Sequence, residues 1–398
     1  MAELTIRAPR DDEAEAVFAA DARGFGFHVE PDDMRRRLSL MEWERFRITL
    51  DGGEIVGVAG AFSLQMTVPG GAVLPTGGVT WIAVAPTHRR RGILTELLEF
   101  VHVDIAERGE PLAALSSSEG GIYERFGYGI ASRVRSARLD HSRAAFRRDV
   151  DIGAGSVRFV DDANAQPLIA EIYERYRTTR PGEVTRSTDW WRALEGGRRG
   201  PAGGFSPVWY LLHADGYAVY RIESRWDNGH KKRALDVVEL VAVTAAAHAA
   251  LWHTLVNVDL VGQITSEMIP LDDPLPMLLA DPRALRTDEI TDGTWLRPVD
   301  IAACLRARTY GTDDGFVIEV EGSRYRLEGS PAGATCSKVR SKADIVADRA
   351  AVGALLLGGI RASHLAAGKR LEFRTPAIAG RVDRFFLGDV EPHSQTHF

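Results

Sequence analysis

Short apolar segments alternate with helical segments along the first part of the chain. In order, the pattern predicts a strand at 4–7, a helix at 11–21, a hairpin of strands 45–50 and 55–64, a strand at 78–84, a helix at 87–107 and a strand at 111–116. The hairpin turns at 51–54, where Gly52 and Gly53 permit the positive φ of a tight turn. Because strands stand on both sides of a helix, we expect a βαβ crossover.

A second block of alternating elements begins near Ser156. The pattern predicts strands at 157–160, 209–213, 217–223 and 235–243, and helices at 164–177 and 245–259. The segment 240–244 and its following helix resemble the segment 81–85 and the helix after it, which indicates a weak internal repeat of one strand–helix unit. The second copy lacks the arginine–glycine loop of the first, so we expect it to have lost any anion site.

A third block starts around Thr287, after a proline-rich stretch at 270–282 that is typical of a loop. Its pattern predicts an extended segment at 295–297, a hairpin of strands 315–321 and 323–328, and helices at 300–306, 343–356 and 361–367. A chain of 398 residues, at about 100–200 residues per domain, suggests two to four domains.

Composition narrows the class of protein. Hydrophobic residues make up 45% of the chain and charged residues 26%, which is ordinary for a soluble globular protein. The formal net charge of -6 gives no sign of a nucleic-acid partner. Two cysteines, Cys304 and Cys336, without a CxxC motif argue against a disulfide-stapled domain and a structural zinc site. The 11 histidines show no metal-ligand spacing, so we expect no metal.

The termini and the apolar runs bear on location. No window of about 18 apolar residues is present, so we expect no membrane-spanning helix and no membrane partner. The first residues lack the basic-then-apolar layout of a signal peptide. We therefore expect a cytoplasmic protein, although export without a signal peptide would leave no trace in the sequence.

One segment carries the features of an anion-binding loop. Residues 79–95 read VTWIAVAPTHRRRGILT: an apolar strand, a proline turn, a basic run, a glycine and the start of a helix. The glycine lets the backbone approach a ligand, and the first helical amides have no partner within the helix. With the positive end of the helix dipole and Arg89, Arg90 and Arg91, they form a site for a pyrophosphate. The spacing fits neither a GxGxxG fingerprint nor a P-loop. It resembles the coenzyme A loop of GNAT acetyltransferases.

A second motif follows the next strand. Residues 117–129 read SSEGGIYERFGYG, and Tyr123, Phe126, Gly127 and Tyr128 fill the Tyr-x-x-Phe-Gly-aromatic pattern of GNAT folds. This resemblance implies that Tyr123 lies beside the coenzyme sulfur, where its phenol can donate a proton to the leaving thiolate. Tyr128 is the competing candidate, and its place at the start of the next strand favours a packing role.

The resemblance extends to one family of GNAT enzymes. The strings VAPTHRRRG (84–92), SEGGIY (118–123), RFGYG (125–129), IYER (172–175), DGYAVYR (215–221) and DPLP (273–276) are similar to the enhanced intracellular survival (Eis) acetyltransferases of actinobacteria. The similarity spans nearly the whole chain. It implies an α/β (α+β) fold with tandem GNAT-like domains and a C-terminal sterol-carrier-protein-like domain, assembled as a homohexamer. The implied domains are 1–131 for the acetyl-CoA domain, 148–287 for a degenerate GNAT-like domain, and 288–398 with the linker 132–147.

The same resemblance implies the site residues. Acetyl-CoA is the cosubstrate. Its pantetheine meets the backbone of Ile82, Ala83 and Val84, while Ser118 and Glu119 line the acetyl-CoA site. The residues expected to bind its pyrophosphate are Arg90, Arg91, Gly92, Ile93, Leu94 and Thr95. Tyr123 is the acid, and the terminal carboxylate of Phe398 is the base. A buried carboxylate suits that role, because free primary amines are mostly protonated at neutral pH and must lose a proton before they attack.

The substrate pocket is expected between the two GNAT-like domains, with Phe25, Trp81 and Trp191 as its aromatic candidates. Family enzymes acetylate several amines of aminoglycosides, and such polycations favour acidic pockets. Here residue 397 is His, and the stretch 24–28 has no carboxylate. Three alternatives therefore stay open: an N-acetyltransferase of small polyamines such as aminoglycosides, one of lysine side chains in proteins or peptides, and a non-catalytic acyl-CoA or lipid-binding protein.

Overall fold

The computed structural model describes residues 4–27, 31–153, 156–198, 205–227 and 230–398. Three mixed sheets organise these residues: two of seven strands and one of five. In the part of the chain so described, no helix combines the length and the apolar character needed to cross a bilayer.

The first part of the chain confirms the predicted alternation. Its elements are β1 (Thr5–Arg7), α1 (Ala14–Phe25), α2 (Pro31–Leu38), β2 (Arg47–Asp51), β3 (Glu54–Thr67), β4 (Val73–Val84), α3 (Ile93–Glu107), β5 (Leu112–Ser116) and β6 (Gly129–Ile130). The helix predicted from residue 87 begins later, at Ile93. A short 3-10 turn covers Pro86–His88, and Gly92 precedes the helix with φ 86°, a left-handed conformation that interrupts any earlier helical turn.

The second part repeats this order of elements. It comprises β7 (Arg133–Asp140), β8 (Arg158–Val160), α4 (Asp162–Arg177), α5 (Thr188–Arg198), β9 (Trp209–His213), β10 (Gly216–Asp227), β11 (His230–Ala242), α6 (Ala245–Val256), β12 (Gln263–Ile269), α7 (Leu275–Leu278) and β13 (Leu285–Asp292). Residues 133–140, expected in a linker, form a strand with Val134, Ala137 and Leu139 buried. Irregular pairing on both sides of this strand breaks the strict alternation that would have indicated it.

The third part contains β14 (Thr294–Pro298), α8 (Ile301–Ala307), β15 (Asp314–Val320), β16 (Ser323–Ser330), β17 (Gly333–Lys338), β18 (Ile345–Ala347), α9 (Arg349–Leu355), α10 (Ala362–Ala367), β19 (Leu371–Phe373) and α11 (Ala379–Phe386). The single helix predicted at 343–356 was wrong. Its first residues form β18, which pairs in parallel with β15, and Asp348 then caps α9 by accepting a hydrogen bond from the Ala351 amide.

The two seven-stranded sheets have equivalent strand orders, and each contains one strand from a segment that adjoins the other sheet in sequence. The first runs β1-β2-β3-β4-β5-β14-β6, and the second runs β8-β9-β10-β11-β12-β7-β13. In each, one parallel pair flanks a crossover helix: β4 with β5 around α3, and β11 with β12 around α6. The sixth strand of the first sheet is β14, which comes after β13 of the second sheet in sequence. The sixth strand of the second sheet is β7, which comes directly after β6 of the first sheet. The weak repeat seen in the sequence therefore corresponds to a repeated topology.

A buried arginine ties the first sheet to its crossover helix. The Arg45 guanidinium donates to Glu110 at 2.6 and 3.0 Å, to Asp104 at 2.9 Å and to Ser63 at 2.7 Å. A buried charge is tolerated when it is paired and fully hydrogen-bonded, as it is here. This cluster fixes α3, and with it the loop that precedes α3.

Candidate active site

The site begins where two parallel strands separate. β4 pairs with β5 only from Thr76 to Gly78, opposite Leu112 to Ala114, and the two strands then diverge. Just beyond, a bulge in β4 sets both Trp81 and Ile82 against a single position of β3, and Trp81 has φ 52°. A bulge bends a strand and re-aims its side chains. The backbone of β4 beyond the bulge therefore borders an open cleft instead of a neighbouring strand.

The glycine–arginine loop closes one end of this cleft. Gly92 takes its left-handed conformation directly before α3, and no side chain caps the helix start. The first amides of α3 are therefore available to an anion, at the positive end of the helix dipole. Arg89 and Arg90 line the cleft. Arg91 points elsewhere and pairs with Asp51 at 3.2 Å, because the β2–β3 turn lies beside it.

The resulting cleft has a volume of about 740 Å³. We call it the coenzyme cleft, after the ligand expected from the sequence. Of the residues predicted to bind the cofactor, those that line it are Ile82, Ala83, Val84, Arg90, Gly92, Ile93, Leu94, Thr95, Ser118 and Glu119. Arg125 also lines this cleft, although no ligand-binding role was expected for it. The cleft offers main-chain groups along β4 and positive charge at the end of α3, which suits a long ligand with a phosphate group.

A second cleft of about 450 Å³ joins the first. Both are lined by Phe25, Ile82, Ser118 and Tyr123, so the two clefts meet at these residues. A ligand that extends along the coenzyme cleft can thus meet a second ligand at Tyr123. We call the smaller space the acceptor cleft.

Tyr123 lies at this junction and is protonated at neutral pH. Its side chain is 6% exposed, and burial, with a smaller contribution from the charge of Glu119, raises the pKa of its phenol to about 12. Tyr128 packs edge-on against it at 6.2 Å between ring centroids and is fully buried, with its hydroxyl 2.9 Å from His102 Nε2. Tyr128 lines neither cleft, in keeping with the packing role expected for it.

The end of the chain lines the acceptor cleft. The Phe398 ring packs edge-on against Trp190, with 6.4 Å between centroids. Gly78 leaves room for this ring, since a Cβ at that position would lie 3.2 Å from Phe398 Cδ2 and 2.5 Å from Leu64 Cδ1. The last residue of the chain is therefore held at the point where β4 leaves β5.

The aromatic candidates for the acceptor cleft divide into two groups. Phe25 and Trp81 line it. Trp191 instead packs in the core of the second domain, edge-on against Tyr173 at 5.4 Å. Its neighbour Trp190 lines the cleft, because successive helical residues point about 100° apart. Trp190, Ala193 and Leu194, which all line the cleft, have the i, i+3, i+4 spacing of a single helix face, but the spacing does not show that this face borders a cleft.

A carboxylate that the sequence analysis missed also lines the acceptor cleft. Asp21 of α1 is 4% exposed, and its Oδ1 atom has no hydrogen-bond partner. Burial raises its pKa to about 7, against an opposing contribution from Arg37. Its position four residues after buried Val17 places an acidic group on the apolar face of the helix. That spacing was the available signal.

Comparison with protein families assigns all three parts of the chain. The profile of the acetyltransferase (GNAT) domain matches residues 5–131, and a second acetyltransferase (GNAT) profile matches residues 182–306. A sterol carrier protein domain matches residues 301–395. These matches confirm the predicted fold class of two GNAT domains followed by a sterol-carrier-protein-like domain. GNAT acetyltransferases use acetyl-CoA as the acetyl donor.

Full-length relatives agree with the domain matches. N-acetyltransferase Eis of Mycobacterium tuberculosis is 38% identical over 406 aligned residues, covering 99% of this chain and 100% of that protein. An uncharacterized N-acetyltransferase of Streptomyces avermitilis is 35% identical and covers 96% of each chain. The crystal structure of Eis1 from Mycobacterium abscessus has a TM-score of 0.88 at 35% identity, covering 100% of both chains.

The two arginines after Arg89 provide a matched test of the coenzyme cleft. Arg90→Ala removes a charge that lines the cleft, whereas Arg91→Ala removes one already paired with Asp51. A charge-assisted hydrogen bond contributes about 1.5–3 kcal/mol, so Arg90→Ala is expected to weaken coenzyme A binding at least about tenfold. Arg91→Ala is expected to have a smaller effect. Isothermal titration calorimetry measures both, and equal losses would contradict the geometric assignment.

Proposed function

The chain belongs to the Eis family of GNAT N-acetyltransferases, and on that premise we propose that it transfers acetyl from acetyl-CoA directly to an amine of a small polyamine, with aminoglycosides among the candidates. The observation that carries the proposal is the meeting of the two clefts at Tyr123, with Phe398 on the wall of the acceptor cleft. A donor and an acceptor that fill these clefts come together without a covalent enzyme intermediate.

The proposed chemistry is a direct displacement at the thioester carbonyl. The amine nitrogen attacks the acetyl carbon, the new C–N bond forms, and the C–S bond breaks. The terminal carboxylate of Phe398 takes the proton that the amine loses. The phenol of Tyr123 donates a proton to the departing sulfur, and its raised pKa keeps that proton in place at neutral pH.

The coenzyme is held, in this proposal, by the groups that line its cleft. The main chain of Ile82 to Val84 meets the pantetheine arm. Arg90 and the residues from Gly92 to Thr95 surround the pyrophosphate at the start of α3. Binding by fixed backbone groups and charges orients the thioester before the amine arrives. Much of the entropy cost of aligning the two reactants is therefore met when the coenzyme binds and not during the reaction.

Asp21 supports a substrate with more than one amino group. A buried carboxylate oxygen without a hydrogen-bond partner favours a cationic ligand, because an ammonium group of the ligand can donate the hydrogen bond that the protein does not. One amine would then react while another pairs with Asp21. A lysine side chain carries a single amine, so Asp21 favours the polyamine over the protein substrate.

The homohexamer and the cytoplasmic location stay predictions.

The acid role of Tyr123 predicts a specific loss of turnover. Tyr123→Phe keeps the ring and removes the proton donor, so kcat is expected to fall by about 10²–10⁴-fold while the KM for acetyl-CoA stays near its original value. A thiol-release assay measures both constants. Tyr128→Phe is the control, and it is expected to lower thermal stability through the lost contact with His102 while kcat stays within a few-fold. Full activity of Tyr123→Phe would remove the phenol from the mechanism.

The base role of the chain terminus predicts sensitivity to C-terminal extension. Each added residue moves the carboxylate by up to about 3.3–3.6 Å. Errors of about 1 Å can cost about 10²-fold in rate, so a C-terminal tag is expected to abolish most turnover, whereas an N-terminal tag leaves it intact. Amidation of Phe398 removes the charge without adding length and should act like the C-terminal tag. The C-tagged, N-tagged, amidated and unmodified proteins are compared at one oligomeric state. A C-tagged enzyme as fast as the others would show that the base lies elsewhere.

The assignment of Asp21 predicts a preference for diamines. Asp21→Asn is expected to lower kcat/KM for 1,5-diaminopentane at least about tenfold and to leave the value for 1-aminopentane nearly unchanged. The original protein should lose its diamine preference as the pH falls through about 7, because the raised pKa of Asp21 makes the carboxyl neutral below that value. An equal effect on both amines would assign Asp21 a structural role.

A further inference from the structure

The second domain contains the same strand gap as the first, but the chain's own tail occupies it. β11 pairs in parallel with β12 only from Ala234 to Asp236, and the strands then separate. The side-chain amide of Gln395 lies in this gap, with Nε2 at 3.5 Å from the Leu240 carbonyl and 3.3 Å from the Met268 carbonyl. These carbonyls belong to the two separated strands. The Gln395 amide group thus donates one hydrogen bond to each of the two separated strands.

The end of this gap that corresponds to the anion loop is also closed. α6 begins directly after Thr244, whose hydroxyl oxygen accepts a hydrogen bond from the Ala247 amide at 3.2 Å. A capped helix start has fewer free amides for a phosphate. The cavity beside Leu240 and Met268 measures about 60 Å³, against about 740 Å³ for the coenzyme cleft of the first domain.

A buried polar cluster of the second domain grips the residues next to Gln395. The Glu183 carboxylate accepts hydrogen bonds from the main-chain N–H of Gln395 at 2.9 Å and from the Tyr173 hydroxyl at 2.8 Å. The Thr396 hydroxyl lies 3.0 Å from the Tyr173 hydroxyl and accepts from Arg186 Nε at 2.8 Å. Main-chain and side-chain groups of the tail are therefore both held, two and three residues before Phe398.

The cluster is buried, and its hydroxyl and carboxylate groups are paired. Thr396 is 2% exposed and Glu183 is fully buried. Arg186 pairs with Glu239 at 2.8 Å and lies 3.9 Å from the centre of the Tyr173 ring. Such a network is stable when it is complete, and removal of one hydroxyl leaves other buried groups without partners.

We propose that the second GNAT-like domain is a positioning clamp for the chain terminus: Gln395 takes the place of a coenzyme in its strand gap, and Thr396, held by Tyr173 and Arg186, sets the position of Phe398. Phe398 is two positions after Thr396, so a fixed Thr396 confines the terminus to about 7 Å of extended chain. The catalytic meaning of this clamp rests on the proposed role of the terminal carboxylate.

Thr396 offers a matched pair of variants. Thr396→Val keeps the shape and removes the hydroxyl, whereas Thr396→Ser keeps the hydroxyl. Thr396→Val is expected to lower kcat about 10- to 100-fold with little change in the KM for acetyl-CoA, because the coenzyme cleft is untouched. Thr396→Ser should restore most of kcat. Gln395→Met, which keeps the length and loses the amide donors, is expected to act like Thr396→Val, and thermal melting verifies that each variant is folded.

Two further measurements do not depend on turnover. Carboxypeptidase A should release Phe398 slowly from the original protein and from Thr396→Ser, but at least about tenfold faster from Thr396→Val. Calorimetric titration with coenzyme A should find one site per chain. Slow release from folded Thr396→Val with unchanged kcat, or two coenzyme sites per chain, would overturn the proposal. If the original protein transfers no acetyl group, the proposed function fails, while the release of Phe398 still tests the clamp.

Discussion

The separation of two parallel strands inside a sheet is the constraint on which this molecule depends. Where such strands separate, their backbone groups no longer form hydrogen bonds across the gap, and buried N–H and C=O groups need other partners. In the first sheet the gap between β4 and β5 opens into the coenzyme cleft and leads to Tyr123. In the second sheet the equivalent gap holds Gln395 of the tail. The same backbone geometry thus borders a ligand cleft in one domain and contains the chain's own end in the other.

An exchange of strands connects the two sheets that contain these gaps. β14 completes the first sheet and β7 completes the second, so each sheet contains a strand from the far side of the other. This arrangement couples the two domains through their hydrogen-bonded sheets. The acceptor cleft is accordingly built by both, with Trp81 from the first domain and Trp190 from the second. Phe398 lies in this shared space, and the second domain holds Gln395 and Thr396 just before it.

Buried charges in the molecule differ in how they are compensated. Arg45 meets two carboxylates and a hydroxyl, and it joins elements of the first domain. Arg308 is buried without a carboxylate and donates instead to the carbonyls of Leu355, Leu356 and Phe386, where two helices of the third domain end. Both arginines satisfy their donors within the protein. Asp21 Oδ1 has no such partner, and Asp21 lines the acceptor cleft. The two arginines stabilise the fold, whereas this carboxylate oxygen is left for a ligand.

The sequence by itself determined the features that depend on neighbouring residues. The alternating elements, the loop before α3 with Gly92, and the Tyr123 motif are local patterns, because turn glycines, free helix amides and strand periodicity act within a few residues. The tertiary structure alone decided which side chains face the clefts. Trp190 and Trp191, or Arg90 and Arg91, are adjacent in sequence, and only packing against distant elements assigns one of each pair to a cleft. The same holds for the side chains of Gln395 and Thr396, whose partners in the second domain lie more than 100 residues away in sequence, so no local pattern could indicate them.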